Sequence, residues 1–239
     1  MIQFITDKGI EVPAVTAAQM REVDRIAVEE TGPNLFQMME NAGRNLAELA
    51  IELAGVRARI LVLAGPGGNG GGGICAARHL ANHGVDVELC LVAPDRLGEV
   101  PAFQLKVFRA SGGRELEGLP RDLPSLILDA IFGYSLSGAP RGKGANLIRW
   151  ANQGGAPILA LDLPSGLDAT SGDAPGDVIR ARWTMTLALP KSGLHSEPTG
   201  ELILADIGIP RGVYARMGLE HRTPFDNRYR VRLSQRRSP

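Results

Sequence analysis

Two stretches of helical periodicity open the chain. A capping-box pattern begins at Thr16, and apolar residues then recur every three or four positions up to Gly32-Pro33, which cannot continue a helix. A second capping pattern begins at Asn34, and a long apolar face runs from there to Gly55. The pattern therefore predicts two consecutive helices before the first strand.

From residue 59 onward, apolar runs alternate with helical patterns. The runs at 60–64, 85–92, 126–128, 157–161, 184–189 and 202–205 are typical of buried strands in a parallel sheet. Helical patterns lie between them at 71–83, 101–111 and 146–152. Because such alternation implies right-handed βαβ crossovers, we predict an α/β fold: a Rossmann-like three-layer αβα sandwich. Its sheet is mostly parallel, with the two N-terminal helices packed on it.

The composition excludes several classes of protein. Among 239 residues, 26 Lys and Arg balance 26 Asp and Glu, which disfavours electrostatic binding to nucleic acid or a membrane surface. Two cysteines are too few for a disulfide scaffold, and no apolar run approaches the roughly 18 residues of a membrane span. The N-terminus lacks the pattern of a signal peptide. We expect a cytoplasmic protein with one domain over residues 1–221.

The last segment differs from the rest of the chain. Residues 222–239 contain six Arg against one Asp and few apolar side chains. This composition is typical of a flexible, solvated tail, which is our prediction. Contacts with another subunit or with nucleic acid are the alternatives.

A glycine-rich segment follows the first buried strand. Seven of the nine residues from 65 to 73 are glycine, so the backbone there can approach a ligand closely. The helix that follows offers unpaired N–H groups and the positive end of its dipole, which suit a phosphate. The segment matches neither the P-loop nor the dinucleotide fingerprint. It therefore predicts phosphate or nucleotide binding without specifying a reaction, and a flexible connector is the alternative.

Two carboxylates follow or end other buried strands. Asp129 and Asp162 each precede a polar turn, and in open α/β sheets ligands bind beyond the carboxyl ends of the strands. We therefore expect both to converge with the glycine segment on one cleft, although each alone could cap a turn. Lys191, after a later strand, could pair with a phosphate or keep Asp162 ionised; a surface lysine is the alternative. We assign His195 to loop structure.

Other chemistries are disfavoured by the sequence. Cys75 and Cys90 lie within a predicted helix and a predicted strand, where they are expected to be small core residues. No His and Cys residues have the spacing of a zinc site. No Gly-x-Ser-x-Gly motif is present, which disfavours a serine hydrolase.

Four groups of motifs occur in the order of a known family. They are Gln19-Met20, Asp24 and Met39-Glu40-Asn41-Ala42-Gly43; the glycine-rich segment with Ala76-Ala77-Arg78-His79-Leu80; Asp129-Ala130-Ile131-Phe132-Gly133; and Asp162-Leu163-Pro164-Ser165-Gly166 with Pro190-Lys191-Ser192-Gly193-Leu194. In these motifs the chain resembles the YjeF N-terminal domain family, the NAD(P)H-hydrate epimerases, and the resemblance covers residues 12–214.

The resemblance implies a Rossmann-like fold, commonly dimeric, that interconverts the R and S epimers of NADHX and NADPHX. These are nicotinamide cofactors hydrated on the ring, and a partner dehydratase specific for S completes their repair. A potassium ion in the site would be bound by Asn69, Asp129 and Ser165, whose oxygens suit a hard cation. The residues implied to line the substrate are Gly68, Asn69, Gly70, Gly71, Gly72, Gly133, Tyr134, Ser135, Leu136, Ser137, Gly138 and Ala139, with Asp162 in contact with it.

A mechanism follows as a hypothesis. Epimerisation requires the C–O bond of the hydroxyl-bearing ring carbon to break and to re-form on the other face. One carboxyl group can act as acid and then as base, and Asp162 is the candidate, with Lys191 tuning its charge.

One segment departs from the family pattern. The family's loop is Asn-Asn-Gly-Gly-Asp-Gly, whereas here Gly68 and Gly72 replace the first Asn and the Asp. A nucleotide-binding or scaffold protein that has lost the reaction is therefore an alternative function. A different nucleotide-dependent enzyme is a third.

Overall fold

Ten strands within the described residues form one sheet, in the order β2-β1-β10-β9-β8-β7-β6-β3-β4-β5. The computed structural model describes residues 3–120, 122–219 and 221–235. The strands are β1 (Gln3–Thr6), β2 (Glu11–Pro13), β3 (Arg59–Ala64), β4 (Asp86–Leu91), β5 (Arg114–Leu116), β6 (Leu126–Ala130), β7 (Ile158–Leu161), β8 (Trp183–Leu187), β9 (Glu201–Ala205) and β10 (Arg230–Gln235). The helices are α1 (Ala17–Ile26), α2 (Leu35–Ala54), α3 (Gly68–Asn82), α4 (Glu99–Ala110), α5 (Gly142–Gly154) and α6 (Arg211–Arg216).

The seven strands from β9 to β5 pair in parallel, whereas β10, β1 and β2 extend the sheet in antiparallel fashion. From β3 the chain proceeds to β4 and β5 on one side and then returns to β6 on the other side of β3. The carboxyl ends of β3 and β6 therefore form the topological switch point, where open α/β sheets bind ligands.

Helices cover both faces of the sheet, as a three-layer sandwich requires. Helices α2, α3 and α4 share a core with Ile60 and Val62, whereas α5 packs with Leu61 and Leu63, which point to the opposite face. A further core joins α1 and α6 to β1, β2 and β10. The predicted α/β fold with a mostly parallel sheet and packed N-terminal helices is thus confirmed.

The ends of the first two helices agree with the sequence pattern. Thr16 and Asn34 form capping boxes at the starts of α1 and α2. A π-helical turn extends α1 to Gly32, which ends it with φ of 105°. Helix α3 starts at Gly68, three residues before the predicted start. Tertiary packing overrides the low helix propensity of glycine there, because a Cβ at Gly73 would lie 2.4 Å from that of Ala130.

The prediction of a flexible tail over residues 222–239 is wrong for its described part. Residues 230–235 form β10, which lies between β1 and β9 inside the sheet. Its apolar residues Val231 and Leu233 are buried, and Arg230 and Arg232, which alternate with them, are more exposed. The arginines of this strand obscured its alternation of buried and exposed positions. The predicted domain boundary at residue 221 therefore separates β10 from the other strands of its sheet. Residues 236–239 lie outside the described residues.

Replacing Val231 tests the structural role of β10. Because Val231 is buried against the core, Val231→Ala should lower the free energy of unfolding by about 2 kcal/mol. Arg232→Ala, which removes an exposed ion pair with Glu201, should cost at most about 0.5 kcal/mol. Urea unfolding of both variants measures the difference. Equal stability of the two would contradict the placement of β10 in the sheet.

Within the described ranges, no helix has both the length and the apolar character needed to cross a membrane.

Candidate functional site

A cavity of about 720 Å³ opens at the switch point between β3 and β6. It is bounded by the start of α3, by the loop after β6, and by residues of α1, α2 and α4. Its volume lies in the range typical of small-molecule sites. The glycine segment, the loop after β6 and Asp162 after β7 meet at this cavity, in agreement with their predicted convergence on one cleft.

The glycine segment allows the backbone at Gly65 and at Gly70 to approach closely beside the cavity. A Cβ at Gly70 would lie 1.8 Å from the carbonyl oxygen of Gly65, so a side chain cannot be accommodated there. Helix α3 therefore begins directly after β3, with Gly67 as an N-cap residue that has no capping side chain. Its first turn presents backbone N–H groups beside the cavity, an arrangement suited to an anion.

Asp129 lies fully buried behind the cavity wall at the end of β6. The Ser165 hydroxyl donates to its Oδ1 at 2.6 Å and the Ser165 N–H to its Oδ2 at 2.8 Å, and the Ile131 N–H donates to Oδ1 at 3.2 Å. Burial raises the pKa of Asp129 to about 6, against these three hydrogen bonds. Asn69 is tied to the same loop, because its Nδ2 donates to the Phe132 carbonyl at 3.0 Å.

Asp162 and Lys191 form a buried ion pair that lines the cavity. Their side chains are 5% and 1% exposed, and the Lys191 ammonium donates to Asp162 Oδ1. The same ammonium donates to the Leu187 carbonyl at 3.0 Å. Asp162 has a φ of 69°, a conformation that is uncommon for residues other than glycine and that clusters at functional sites. The prediction that Lys191 pairs with Asp162 agrees with this geometry, and the surface-lysine alternative does not.

Tyr134 links this pair to the first helix. Its backbone N–H donates to Asp162 Oδ2 at 3.3 Å, and its hydroxyl donates to Oδ2 of Asp24 on α1. Burial raises the pKa of Asp24, and the negative charge of Asp162 adds to the shift, whereas Tyr134 and Lys191 oppose it. The sequence motif contains Asp24, but a single acid on an amphipathic helix gives no indication that it faces a cavity.

The predicted site residues divide into three groups. Those that line the cavity are Gly68, Asn69, Gly72, Gly133, Tyr134, Ser135, Leu136, Ser137, Asp162 and Lys191. Asp129 and Ser165 do not line it, but they hydrogen-bond to each other and accept hydrogen bonds from the lining residues Ile131 and Phe132. Gly70, Gly71, Gly138 and Ala139 are not among the lining residues, so their contact with substrate stays a prediction. Sequence reasoning missed the apolar wall formed by Met20, Met38 and Met39.

Comparison with known proteins places this site in a family. The profile described as YjeF-related protein N-terminus matches residues 35–193. An NAD(P)H-hydrate epimerase of Dehalogenimonas lykanthroporepellens is 53% identical over 98% of this chain and 98% of its own. The chain belongs to the YjeF N-terminal domain family. The predicted membership is thereby confirmed.

Two further relatives show how the family's domain is used. An NAD(P)H-hydrate epimerase of Truepera radiovictrix is 38% identical over 86% of this chain and 94% of its own. The bifunctional NAD(P)H-hydrate repair enzyme of Moorella thermoacetica is also 38% identical, over 87% of this chain, but the match covers only 43% of that enzyme. In fold, the chain resembles the crystal structure of yeast ynu0, with a TM-score of 0.82 at 23% identity over 92% of this chain and all of that one.

The two departures from the family's loop differ in their surroundings. Space is open at Gly68, where the nearest atom to a Cβ would be Met39 Cε at 3.5 Å. At Gly72 a Cβ would lie 2.9 Å from Leu161 Cδ2. A side chain at position 72 would therefore require the end of the Leu161 side chain to shift.

Alanine substitutions test this difference. Both Gly68→Ala and Gly72→Ala gain helix propensity, but the second forces Leu161 to move within the core. We expect Gly72→Ala to be less stable than Gly68→Ala by about 1–2 kcal/mol in thermal or urea unfolding. Gly72→Ala at least as stable as Gly68→Ala would show that Leu161 does not fill this space.

A second polar cluster lies between α2 and α3. Glu40, Cys75 and His79 place ligand-type atoms within 4.8 Å of one another, a grouping that their spacing along the chain does not reveal. Arg78 donates to both Glu40 oxygens, at 2.7 and 2.5 Å, and so already neutralises this carboxylate. Burial raises the pKa of the Cys75 thiol to about 12. The cluster therefore ties the two helices together and presents no free thiolate.

Proposed function

We propose that this protein is an NAD(P)H-hydrate epimerase, which interconverts the R and S epimers of NADHX and NADPHX. The observation that carries the proposal is the buried Asp162–Lys191 pair on the wall of the cavity beside the start of α3. Relatives named NAD(P)H-hydrate epimerase, one of them matching along nearly the whole chain, support it.

The start of α3 would hold the dinucleotide's phosphates. Apart from Asn69, its first turn consists of glycine, so that phosphate oxygens can reach backbone N–H groups at the positive end of the helix dipole. The loop of residues 133–139 would then enclose the rest of the ligand, and Met20, Met38 and Met39 would offer it an apolar wall.

Asp162 would move the protons that the reaction requires. When the hydroxyl leaves the ring carbon as water, a carboxyl group must supply a proton, and when water returns, a carboxylate must accept one. Lys191 holds Oδ1 and the Tyr134 N–H holds Oδ2, so the carboxylate is fixed in orientation. Asp162 and Lys191 are both buried, which strengthens their electrostatic interactions with the reacting ring.

Potassium is the proposed cofactor, with Asn69, Asp129 and Ser165 as ligands. The residues fit the ion, because Asp129 is a fully buried carboxylate whose hydrogen-bond partners in the described chain are a hydroxyl and two backbone N–H groups, none of them charged. Asn69 uses its nitrogen for Phe132, which leaves its amide oxygen for a cation. When bound, the ion would neutralise Asp129 and fix the loops that carry Asn69 and Phe132.

Further proposals concern partners and location. An S-specific NAD(P)HX dehydratase would consume the product, and bifunctional repair enzymes among the relatives support this pairing. We also propose that the protein is a cytoplasmic homodimer that acts on free dinucleotides and not on nucleic acid or membranes. The balanced net charge supports the last point.

Epimer exchange tests the proposed function against its alternative. Purified protein is mixed with R-NADHX in potassium buffer, and the R-to-S ratio is followed by chromatography against the slow uncatalysed rate. Calorimetry with the same dinucleotide runs in parallel. We expect both binding and accelerated exchange. Binding without exchange would instead favour a nucleotide-binding protein that has lost the reaction, the alternative that Gly68 and Gly72 raise.

A further inference from the structure

Asp24 is a second carboxylate on the wall of the cavity that contains Asp162. It comes from α1, whereas Asp162 follows β7, so two separate elements bring the two acids to one space. Among the described residues, the Tyr134 hydroxyl is the one hydrogen-bond donor to Asp24, and it contacts Oδ2. The other oxygen, Oδ1, therefore remains free to meet a ligand.

Tyr134 also sets the separation of the two carboxylates. Its backbone N–H contacts Asp162 and its hydroxyl contacts Asp24, so the two acids lie at opposite ends of one tyrosine residue. The Lys191 ammonium lies 5.8 Å from the centre of the tyrosine ring, on the Asp162 side of this arrangement. A ligand bound in the cavity would thus meet two carboxyl groups, one from α1 and one from the end of β7.

The surroundings of the two acids differ in charge. Asp162 is paired with a buried ammonium, whereas Asp24 receives a neutral hydroxyl. Burial raises the pKa of Asp24, which favours its protonated form relative to that of an exposed aspartate. Two carboxyl groups in surroundings of different charge form a recurring acid–base arrangement in enzymes.

We propose that Asp24 is a second catalytic residue, which moves the proton at one face of the ring while Asp162 moves the proton at the other. Tyr134 is the positioning residue that orients Asp24. This inference rests on the proposed epimerase function and changes its mechanism from one carboxyl group to two.

The proposed step balances in protons and electrons. Asp24 gives its proton to the departing hydroxyl, the C–O bond breaks with its electron pair on the oxygen, and water leaves while the ring stabilises the cation. Water then forms a C–O bond on the opposite face, and Asp162 accepts its proton. One proton passes from Asp24 to Asp162, no oxidant is needed, and the reverse reaction returns the proton.

Asp24 faces charged and titratable groups from several elements. Tyr134 and Lys191 lower its pKa, and Asp162 raises it. Its own charge in turn raises the pKa of Tyr214 on α6, while Arg21 on α1 acts on Tyr134. Since the pair must share one proton, the rate should fall at high pH as Asp24 loses its proton, and this alkaline limb should belong to Asp24.

The test compares Asp24→Asn with the matched control Asp173→Asn, an exposed aspartate. Asp24→Asn should lower kcat by about 100-fold or more, with unchanged dinucleotide affinity, and flatten the alkaline limb of its residual rate. Formate should restore part of the rate to Asp24→Ala, which a purely structural role would not allow. The control should keep the wild-type rate.

Tyr134→Phe gives an independent reading if Asp24→Asn does not fold. The Tyr134 hydrogen bond lowers the pKa of Asp24, so its removal should raise that pKa and move the alkaline limb to higher pH. Tyr229→Phe, on the surface, should not move it. Wild-type rates and pH profiles in both Asp24→Asn and Tyr134→Phe would overturn the role of Asp24 alone. A wild-type protein without exchange would overturn the epimerase proposal as well.

Discussion

Replacing Asp162 with asparagine lowers the rate of epimer exchange by at least about 100-fold, because an amide can neither give nor accept the proton that the hydroxyl requires. Asparagine is the replacement of choice, since it tolerates the positive φ of this residue better than most side chains do. Its shape also preserves the contact with the Tyr134 N–H. The loss should therefore appear in kcat, with little change in dinucleotide affinity.

The same substitution leaves the Lys191 ammonium buried without its counter-charge. Removing one partner of a buried ion pair costs about 3–5 kcal/mol, so Asp162→Asn alone should also unfold at lower temperature. The double variant Asp162→Asn/Lys191→Met removes both charges and should recover much of this stability while remaining inactive. Exchange assays, calorimetry and thermal unfolding of both variants separate the two effects. Full activity in either variant would remove Asp162 from the mechanism.

Potassium stabilises the folded protein above pH 6 and has little effect near pH 4. Folding raises the pKa of Asp129 from 3.8 to about 6, chiefly through burial. The protonated form therefore stabilises the fold below pH 3.8, and this contribution is lost as the pH rises through about 6. The difference amounts to about 3 kcal/mol in the absence of a cation. A potassium ion that pairs with the ionised carboxylate offsets this loss, and only where the carboxylate is ionised.

Thermal unfolding in potassium chloride and in choline chloride, at pH 4 and pH 8, measures this effect. We expect the Tm to rise with potassium at pH 8 and to change little at pH 4. Asp129→Asn should show little potassium response at either pH. A potassium effect of equal size in Asp129→Asn would place the ion elsewhere.

Sequence patterns predicted six of the seven parallel strands and missed β5, which is only three residues long and has exposed Arg114 and Glu115. The buried runs around β3, β6 and β7 consist of uninterrupted apolar residues, and the glycine segment after β3 identifies the switch point. The antiparallel extension was not predictable in the same way. Strands β1 and β2 are only four and three residues long, and β10 carries arginines at alternate positions, which resemble a solvated tail.

The candidate site was predictable where its functional residues lie at the end of a strand. Asp129 and Asp162 stand out because each lies at the end of a buried strand, beside a polar loop. Asp24 lies on an amphipathic helix far from these residues in sequence, and only the folded chain brings it to Tyr134. The proximity of Leu161 to Gly72 is likewise a tertiary contact, which the local sequence does not indicate.

The most direct test of the proposed epimerase function starts from both epimers. Purified protein in potassium buffer is mixed with pure R-NADHX in one vessel and with pure S-NADHX in another, and both are followed by chromatography. We expect the two solutions to converge on the same R-to-S ratio, at a rate proportional to protein concentration. Change in both vessels at only the uncatalysed rate, in folded protein that still binds the dinucleotide, would contradict the proposed function.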